Sequence, residues 1–513
     1  MNHPSQLAVI AMVLCLATVP ATSLRAQDAA AERLYREGQR LAVEDTQAAI
    51  DAYALLLEQF PADSRAPAAL LRTAELQRTA RDAMGTDRAL ERLIADYGRT
   101  PEAAAAFLMR GEIQLQVAQS AAQLADARAT LERVPLLFGS AAYPALGARA
   151  QARLLAGRIS RMLGDDDRAE AAFLTLIEDE PRSAALAGAR RALAALWIER
   201  GALDAALEML ERTVDEAADA PSTETTGNPL AIEERPAAAE RRLLALIHRR
   251  LIRPLGAGEL FPHRRRFASG LGLASPAGIA AHEDGRLLVV DGGGPTVMVL
   301  APDGRVLARS RVRDAAAPWW DGERPTVASG DALVQPFGGR SVRLSEPGKG
   351  DDRLKGIVAV ARGALGDRFV LARGQLGVLR YAVPARPARL LDQGKRQLAD
   401  LARDDRGRIY ALTRNQSQVW RIGIDRQAEP GPLLAGTWKR PVAIAVDGLG
   451  FTFVLDRANR RLEVLDEVGN PVTSLGPQLA PDLELRAPVD VAVDGSGRVY
   501  LADAKLEGLV VLE

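Results

Sequence analysis

The sequence predicts a multidomain chain of α plus all-β class: an N-terminal α-solenoid of helix pairs followed by a six-bladed β-propeller. Three observations carry this. A length of 513 residues is more than one hydrophobic core organises, so two or more domains are expected. Between about Gln27 and Asp219 the strong helix formers Ala, Leu, Arg and Glu dominate, and the small residues Ala49, Ala89, Ala127, Ala169 and Ala206 return at steps of 40, 38, 42 and 37 residues. From Leu273 onward apolar residues alternate with period two, and Asp-Gly or Gly turns come at short intervals.

Residues 1–26 read as a signal peptide. The apolar run from Leu7 to Val19 is too short to span a bilayer but suits a signal-peptide core, with cleavage expected after Ala26. The expected location is therefore periplasmic or secreted, in a bacterium. Cys15, the one cysteine, lies inside this segment, so the mature chain has no thiol for a disulfide, a nucleophile or a zinc site. No later segment is apolar enough to span a membrane. With 66 basic and 66 acidic residues there is no global field to draw nucleic acid, which is not an expected partner.

Residues 27–219 form the solenoid. "DTQAAIDAYALLLEQFP" (Asp45 to Pro61) and "DDDRAEAAFLTLIEDEP" (Asp165 to Pro181) each open on an acid suited to a helix N-terminus. Each places Ala and an aromatic four residues apart on one face and closes on a proline eight residues later. Thr86 to Pro101 and Ala202 to Val214 repeat the pattern, and about five helix pairs are expected. Gly157, Ala169, Phe173 and Pro181 stand at the spacing of the tetratricopeptide signature, which this region resembles. That resemblance implies a concave groove for a protein segment, lined in the best-matched unit by Gln151, Arg158 and Arg161. The same three residues are equally readable as solvated positions on an exposed helix face.

Residues 220–262 join the halves. Asp219 to Pro236 is rich in Pro, Ser, Thr and Gly, as linkers are. Ala237 to Leu255 then has the pattern of an amphipathic helix, followed by three arginines at 264–266. This basic stretch reads as a connection that docks the two domains, or as a site for an anion or anionic lipid.

Residues 263–513 form the propeller. "PAGIAAHEDGRLLVVD", "PVAIAVDGLGFTFVLD" and "PVDVAVDGSGRVYLAD" align without a gap, each with proline and a final aspartate fifteen residues apart, at Asp291, Asp456 and Asp503. Leu398 to Thr413, Gly356 to Arg373 and Pro325 to Leu344 complete six units, with starts about 42 residues apart as four-stranded blades require. "RPVAIAVDGLGFTFVLDRANRRLEVL" (Arg440 to Leu465) resembles an NHL repeat, with Asp456, Asn459 and Arg461 at the family's positions. Its polar residues read as turn formers rather than catalysts, because the same Asp recurs across blades. The last unit has room for three strands, so residues near Arg266 to Ser269 are expected to supply its fourth.

Chemistry is sparse. Beyond the signal peptide the histidines are His248, His263 and His282, too few to build a zinc site in the ring. Asp400 and Asp490, at equivalent places in their blades, could point at the axis, but two carboxylates make a poor calcium cage. No catalytic, cofactor-binding or metal residue is assigned and no cofactor is expected. The favoured function is a non-catalytic envelope scaffold that binds protein partners through the groove and a propeller face. Two alternatives stay open: a propeller hydrolase or lyase acting on a carbohydrate or lactone, and a glycan-binding module.

Overall fold

Among the described residues of the computed structural model, eleven α-helices precede 26 β-strands. The described residues are 21–513 except 81, 119, 140–146, 219–236, 253–259, 274, 346–353, 355, 364–366, 376, 383–385, 391–396, 405–406 and 423–433. The apolar run expected to be a signal-peptide core and the expected linker at 219–236 therefore lie outside the described residues. The chain forms two compact units, residues 1–113 with 127–153, and 114–126 with 154–513.

The helices are α1 (Ala21–Glu44), α2 (Thr46–Gln59), α3 (Ala66–Thr79), α4 (Ala83–Tyr97), α5 (Pro101–Val117), α6 (Ala121–Leu137), α7 (Ala148–Met162), α8 (Asp166–Asp179), α9 (Leu186–Glu199), α10 (Leu203–Ala218) and α11 (Ala238–Ile247). Taken two by two, α1 to α10 give the five expected pairs. The acidic starts act as caps: Asp45 accepts from the amides of Gln47 and Ala48, and Asp165 accepts from Arg168. Pro61 and Pro181 follow just past the last turns of α2 and α8. Close approach is set by glycine against a large side chain. A Cβ at Gly38 would lie 2.4 Å from the Tyr53 ring, and one at Gly157 would lie 2.4 Å from the Phe173 ring. Tyr53 and Phe173 are buried, so each glycine is the socket of its pair.

In the second unit, strands β1 (Arg264–Phe267) to β26 (Leu509–Leu512) form six four-stranded antiparallel sheets. Blades 1 to 5 are β2–β5 (within 276–311), β6–β9 (315–343), β10–β13 (357–390), β14–β17 (398–435) and β18–β21 (441–475), in chain order. Blade 6 is ordered β24-β25-β26-β1. The expected closure is present: Arg264 pairs with Leu512 and Phe267 with Leu509, so the first strand completes the last blade. An additional hairpin, β22 (Gln478–Ala480) with β23 (Leu483–Glu484), lies between blades 5 and 6.

Blade 2 corrects one expectation. Its first strand is β6 (Ala315–Asp321); the segment starting at Pro325 is instead its second strand, β7 (Arg324–Ser329). Ala-Ala-Ala-Pro-Trp-Trp has no period-two alternation, and Ala317 adopts a φ of 42° where the β6–β7 register shifts, so a bulge erased the signal. The period-two pattern also fails in the second strands. All five residues of β3 (Leu287–Asp291), β15 (Ile409–Thr413), β19 (Thr452–Asp456) and β25 (Val499–Asp503) are buried, because each lies between neighbouring blades.

The first strands of blades 1 and 3 to 6 share a register shift after their first residue, at Pro276/Gly278, Ile357/Ala359, Leu398/Asp400, Pro441/Ala443 and Pro488/Asp490. The shift re-aims the third residue of each strand, and four of these, Gly278, Ala359, Asp400 and Asp490, line the central cavity.

Candidate functional site

The recurring aspartates are structural clamps. Pro276, Pro441 and Pro488 pair directly with Asp291, Asp456 and Asp503. Asp456 accepts from the amides of Lys439 (2.9 Å) and Arg440 (3.0 Å) and from Asn459 Nδ2 (2.6 Å). Asp503 does the same for Arg486 and Ala487. Each carboxylate thus ties the entry of one strand to the exit of the next, as short polar side chains at turns do.

A second aspartate sits at the turn between first and second strands. Asp404 and Asp494 accept from the amides of Arg408 and Arg498 and from the hydroxyls of Tyr410 (3.1 Å) and Tyr500 (3.0 Å). Burial and the neighbouring carboxylate push the Tyr410 phenol up to about 12. In blade 5 the residue at the tyrosine's place is Phe453, and the free oxygen of Asp447 is taken by Arg250 Nε at 2.8 Å. Both side chains are fully buried. Arg250 also donates to Gly497 O at 2.6 Å and lies 5.2 Å from the rings of both Phe261 and Phe453. Burial raises the Asp447 pKa, with Arg250 opposing. Arg250 belongs to a π-helical turn, His248–Ile252, that continues α11. Arg250 thus anchors the turn after α11 to the strand turns of blades 5 and 6, while the three arginines at 264–266 belong to β1.

Asp400 and Asp490 do reach the axis. Asp490 Oδ2 accepts from Ile279 N of blade 1 (2.8 Å) and its Oδ1 from Val491 N (2.8 Å). Asp400 repeats this with Ile444 N of blade 5 (2.9 Å) and Leu401 N (2.8 Å). Each latches its blade to the next. Burial lifts both above the usual carboxylate range: Asp490 rises to about 7, and Asp400 is raised by burial and by the charge of Asp490. Each oxygen of the pair is engaged by one main-chain amide.

Above these strands lies a cavity of about 960 Å³, wholly within the second unit. Its floor is made by the first strands of all six blades, and its roof by α7, α9 and α11. α9 to α11 share an apolar cluster of Ala194, Ala206, Leu210 and Ile247 with Leu449 of blade 5. Two of the groove candidates, Arg158 and Arg161, line this cavity; Gln151 is half-buried in the part of α7 that belongs to the first unit.

Seven arginines line the cavity: Arg158, Arg161, Arg191 and Arg242 from the roof, and Arg362, Arg403 and Arg414 from the ring. Three of them face acids, Arg161 with Glu199 (2.7 Å), Arg191 with Glu240 (3.3 Å) and Arg362 with Asp321 (3.5 Å). Arg158, Arg403 and Arg414 have no side-chain partner among the described residues. Arg158 is exposed to the cavity yet surrounded by protein, so burial and the like charge of Arg191 lower its pKa.

His282 is buried at the cavity's edge. It lies 2.9 Å from Asp284 and 4.9 Å from the Trp320 ring centre, and with Asp284 and Glu323 it forms a group of metal-ligand types. Buried Arg286 occupies the middle, donating to both Asp284 and Glu323, so a guanidinium stands where a cation would. Burial tends to raise the Asp284 pKa, but His282 and Arg286 hold it below the ordinary value.

Fold and mouth together define a six-bladed propeller roofed by helices. No protein-family model and no curated protein matches the chain. Among solved structures it is similar to a gluconolactonase from Xanthomonas campestris, at 14% identity over 51% of this chain and 98% of that one, TM-score 0.39. A streptogramin B lyase gives 12% identity over 49% and 97%, TM-score 0.37. Virginiamycin B lyase from Staphylococcus aureus gives 11% over 47% and 82%, TM-score 0.34. With TM-scores below 0.5 these likenesses carry no argument; the six-bladed ring stands on its own strand pairing.

Proposed function

We propose that the chain is an exported, non-catalytic binding protein of the bacterial envelope. Its ligand, a protein segment or a glycan, sits in the cavity between α7, α9 and α11 and the propeller mouth. One observation carries this: apart from Glu283, the acids lining a cavity of ligand size are engaged by backbone amides, arginines or tyrosines. The mouth therefore offers room and charge, and Glu283 is the one lining carboxylate without a side-chain or amide partner among the described residues. The helix-pair spacing supports membership of the tetratricopeptide repeats, and the Asp456–Asn459 turn supports the NHL repeats. The apolar run Leu7 to Val19 supports export.

A second reading, a hydrolase or lyase acting on a carbohydrate or lactone, has one observation in its favour. Asp490 holds its proton to about pH 7 at the axis, as a general acid would. The test separates the two. The full chain and an Ala195→Trp variant, which fills the roof, are incubated with envelope extract, and bound compounds are identified by mass spectrometry. Binding predicts a compound retained unchanged by the wild type and lost from the variant. Conversion of that compound, abolished by Asp490→Asn, would replace the binding reading with the enzymatic one.

A further inference from the structure

The bulged first strand of blade 2 runs into Trp319-Trp320-Asp321-Gly322-Glu323. Neighbouring residues of a strand face opposite ways, and the two tryptophans part accordingly. Trp319 is buried in one cluster with Val370 and Leu379 of blade 3. Trp320 packs on the cluster that holds Leu288 and Val290 of blade 1, and its Nε1 donates to Ala280 O at 3.1 Å. Arg286 lies 5.1 Å from the Trp320 ring centre and His282 lies 4.9 Å from it. Both of those side chains are buried, whereas the indole is half-buried and lines the cavity. The ring is thus fixed at its edge, backed by a guanidinium, and open to the cavity with what remains exposed.

Two hydrogen-bonding groups stand beside it. Glu323, exposed in the cavity wall, has one carboxylate oxygen held by Arg286 and the other 3.4 Å from His282 Nε2. Arg362 of blade 3 reaches the turn between β6 and β7: its Nη1 lies 3.4 Å from where a Cβ would stand on Gly322, and its ion-pair partner Asp321 is 3.5 Å away. The charges of this patch cancel, Asp284, Asp321 and Glu323 against Arg286, Arg362 and Arg368. Glu283, whose carbonyl accepts from Gly495 N, stands instead at the junction of blade 1 with blade 6. With no excess charge beside the ring, the patch selects no ion. An aromatic surface next to a fixed acceptor and a donor fork matches a sugar ring. The sugar's C–H face covers the indole, and its hydroxyls, each both donor and acceptor, take up the carboxylate and the guanidinium. Groups held in place beforehand lower the cost of binding.

We propose that the cavity holds a carbohydrate, with one neutral sugar ring laid on Trp320 and hydrogen-bonded to Glu323 and Arg362. The inference rests on the binding-cavity reading above, and of its two kinds of ligand it chooses the glycan over the protein segment. A volume of about 960 Å³, near the top of the range for small-molecule sites, leaves room for further sugar units beyond the one on Trp320.

The test is a microarray of neutral and acidic oligosaccharides probed with the full chain, followed by calorimetric titration of the best-bound neutral one at low and high sodium chloride. A neutral oligosaccharide is expected to bind with an affinity that salt leaves nearly unchanged, unlike an ion-paired ligand. Trp320→Ala should weaken it about tenfold, the loss of one aromatic contact, and Trp320→Phe, which keeps a ring, by clearly less. Glu323→Gln and Arg362→Gln, both at exposed side chains, should each weaken it about fivefold or more through loss of a charge-assisted hydrogen bond. Arg311→Gln, on the outer strand β5 (Val306–Arg311), should change nothing. Recognition of acidic oligosaccharides alone, or neutral binding left unchanged by Trp320→Ala or by both polar changes, overturns the sugar site. So does a protein segment retained from envelope extract by the wild type and lost from Ala195→Trp while no oligosaccharide binds, an outcome that leaves the cavity reading intact. No oligosaccharide bound, with Ala195→Trp equally without effect on compounds drawn from extract, overturns both.

Discussion

At the scale of the residue, the chemistry of this ring lies in how each buried charge is satisfied. Arg250 and Asp447 show the rule: removing one partner strands the other in the interior. Arg250→Met is expected to destabilise the propeller by about 3–5 kcal/mol, and Arg250→Met with Asp447→Asn by clearly less, both read as the midpoint of the propeller's transition in scanning calorimetry. Equal losses in the two variants would show that packing against Phe261 and Phe453, not charge, is what Arg250 supplies. Asp456 was legible in the sequence because turn chemistry repeats at fixed spacing. The Arg250 partnership was not, since 197 residues separate the two side chains and no local pattern links them. The same limit hid the cavity-lining place of Arg158 and Arg403, which depends on elements distant in sequence.

At the scale of the element, helix pairing rests on sockets. Gly157 leaves room for Phe173, and a methyl group there would sit 2.4 Å from its ring. Gly157→Ala is expected to cost about 1–3 kcal/mol by overpacking. Phe173→Leu in the same chain should recover part of that, so that a double-mutant cycle yields a favourable coupling; strict additivity would mean the pair is not the contact that sets the helix separation. The five pairs were readable because alanine and aromatic spacing is local. The start of blade 2 was not: the bulge at Ala317 and the paired tryptophans break the alternation that marks a strand, so the reading began one strand late.

At the scale of the whole molecule, Asp400 and Asp490 couple ring closure to pH. Asp490 has a higher pKa folded than unfolded, so its protonation favours the fold. Its stabilising effect is full below the unfolded value near 3.9 and fades as pH rises through about 7. Relative to Asp490→Asn, the wild type should lose stability between about pH 4 and about pH 8, by up to roughly 4 kcal/mol for a shift of three units. Denaturation midpoints measured across that range check it, and parallel curves for the two proteins would refute it. The class of fold and its six repeats followed from periodicity alone, whereas the site depends on which blades carry aspartate at the axis and on the helices laid over them.

Strand β1 and its partner β26 are neighbours in the ring but lie at opposite ends of the propeller sequence, Arg264 against Leu512. During synthesis β1 leaves the ribosome long before the strand that will cover its edge. For that interval the nascent chain carries an unpaired, partly apolar strand and an open stack of blades, the state in which sheet edges recruit other chains. The closing contact is also among the most distant in sequence that this fold contains, so folding of the ring waits on its final strand. The joint that makes the finished ring durable is thus the one that makes its birth slow.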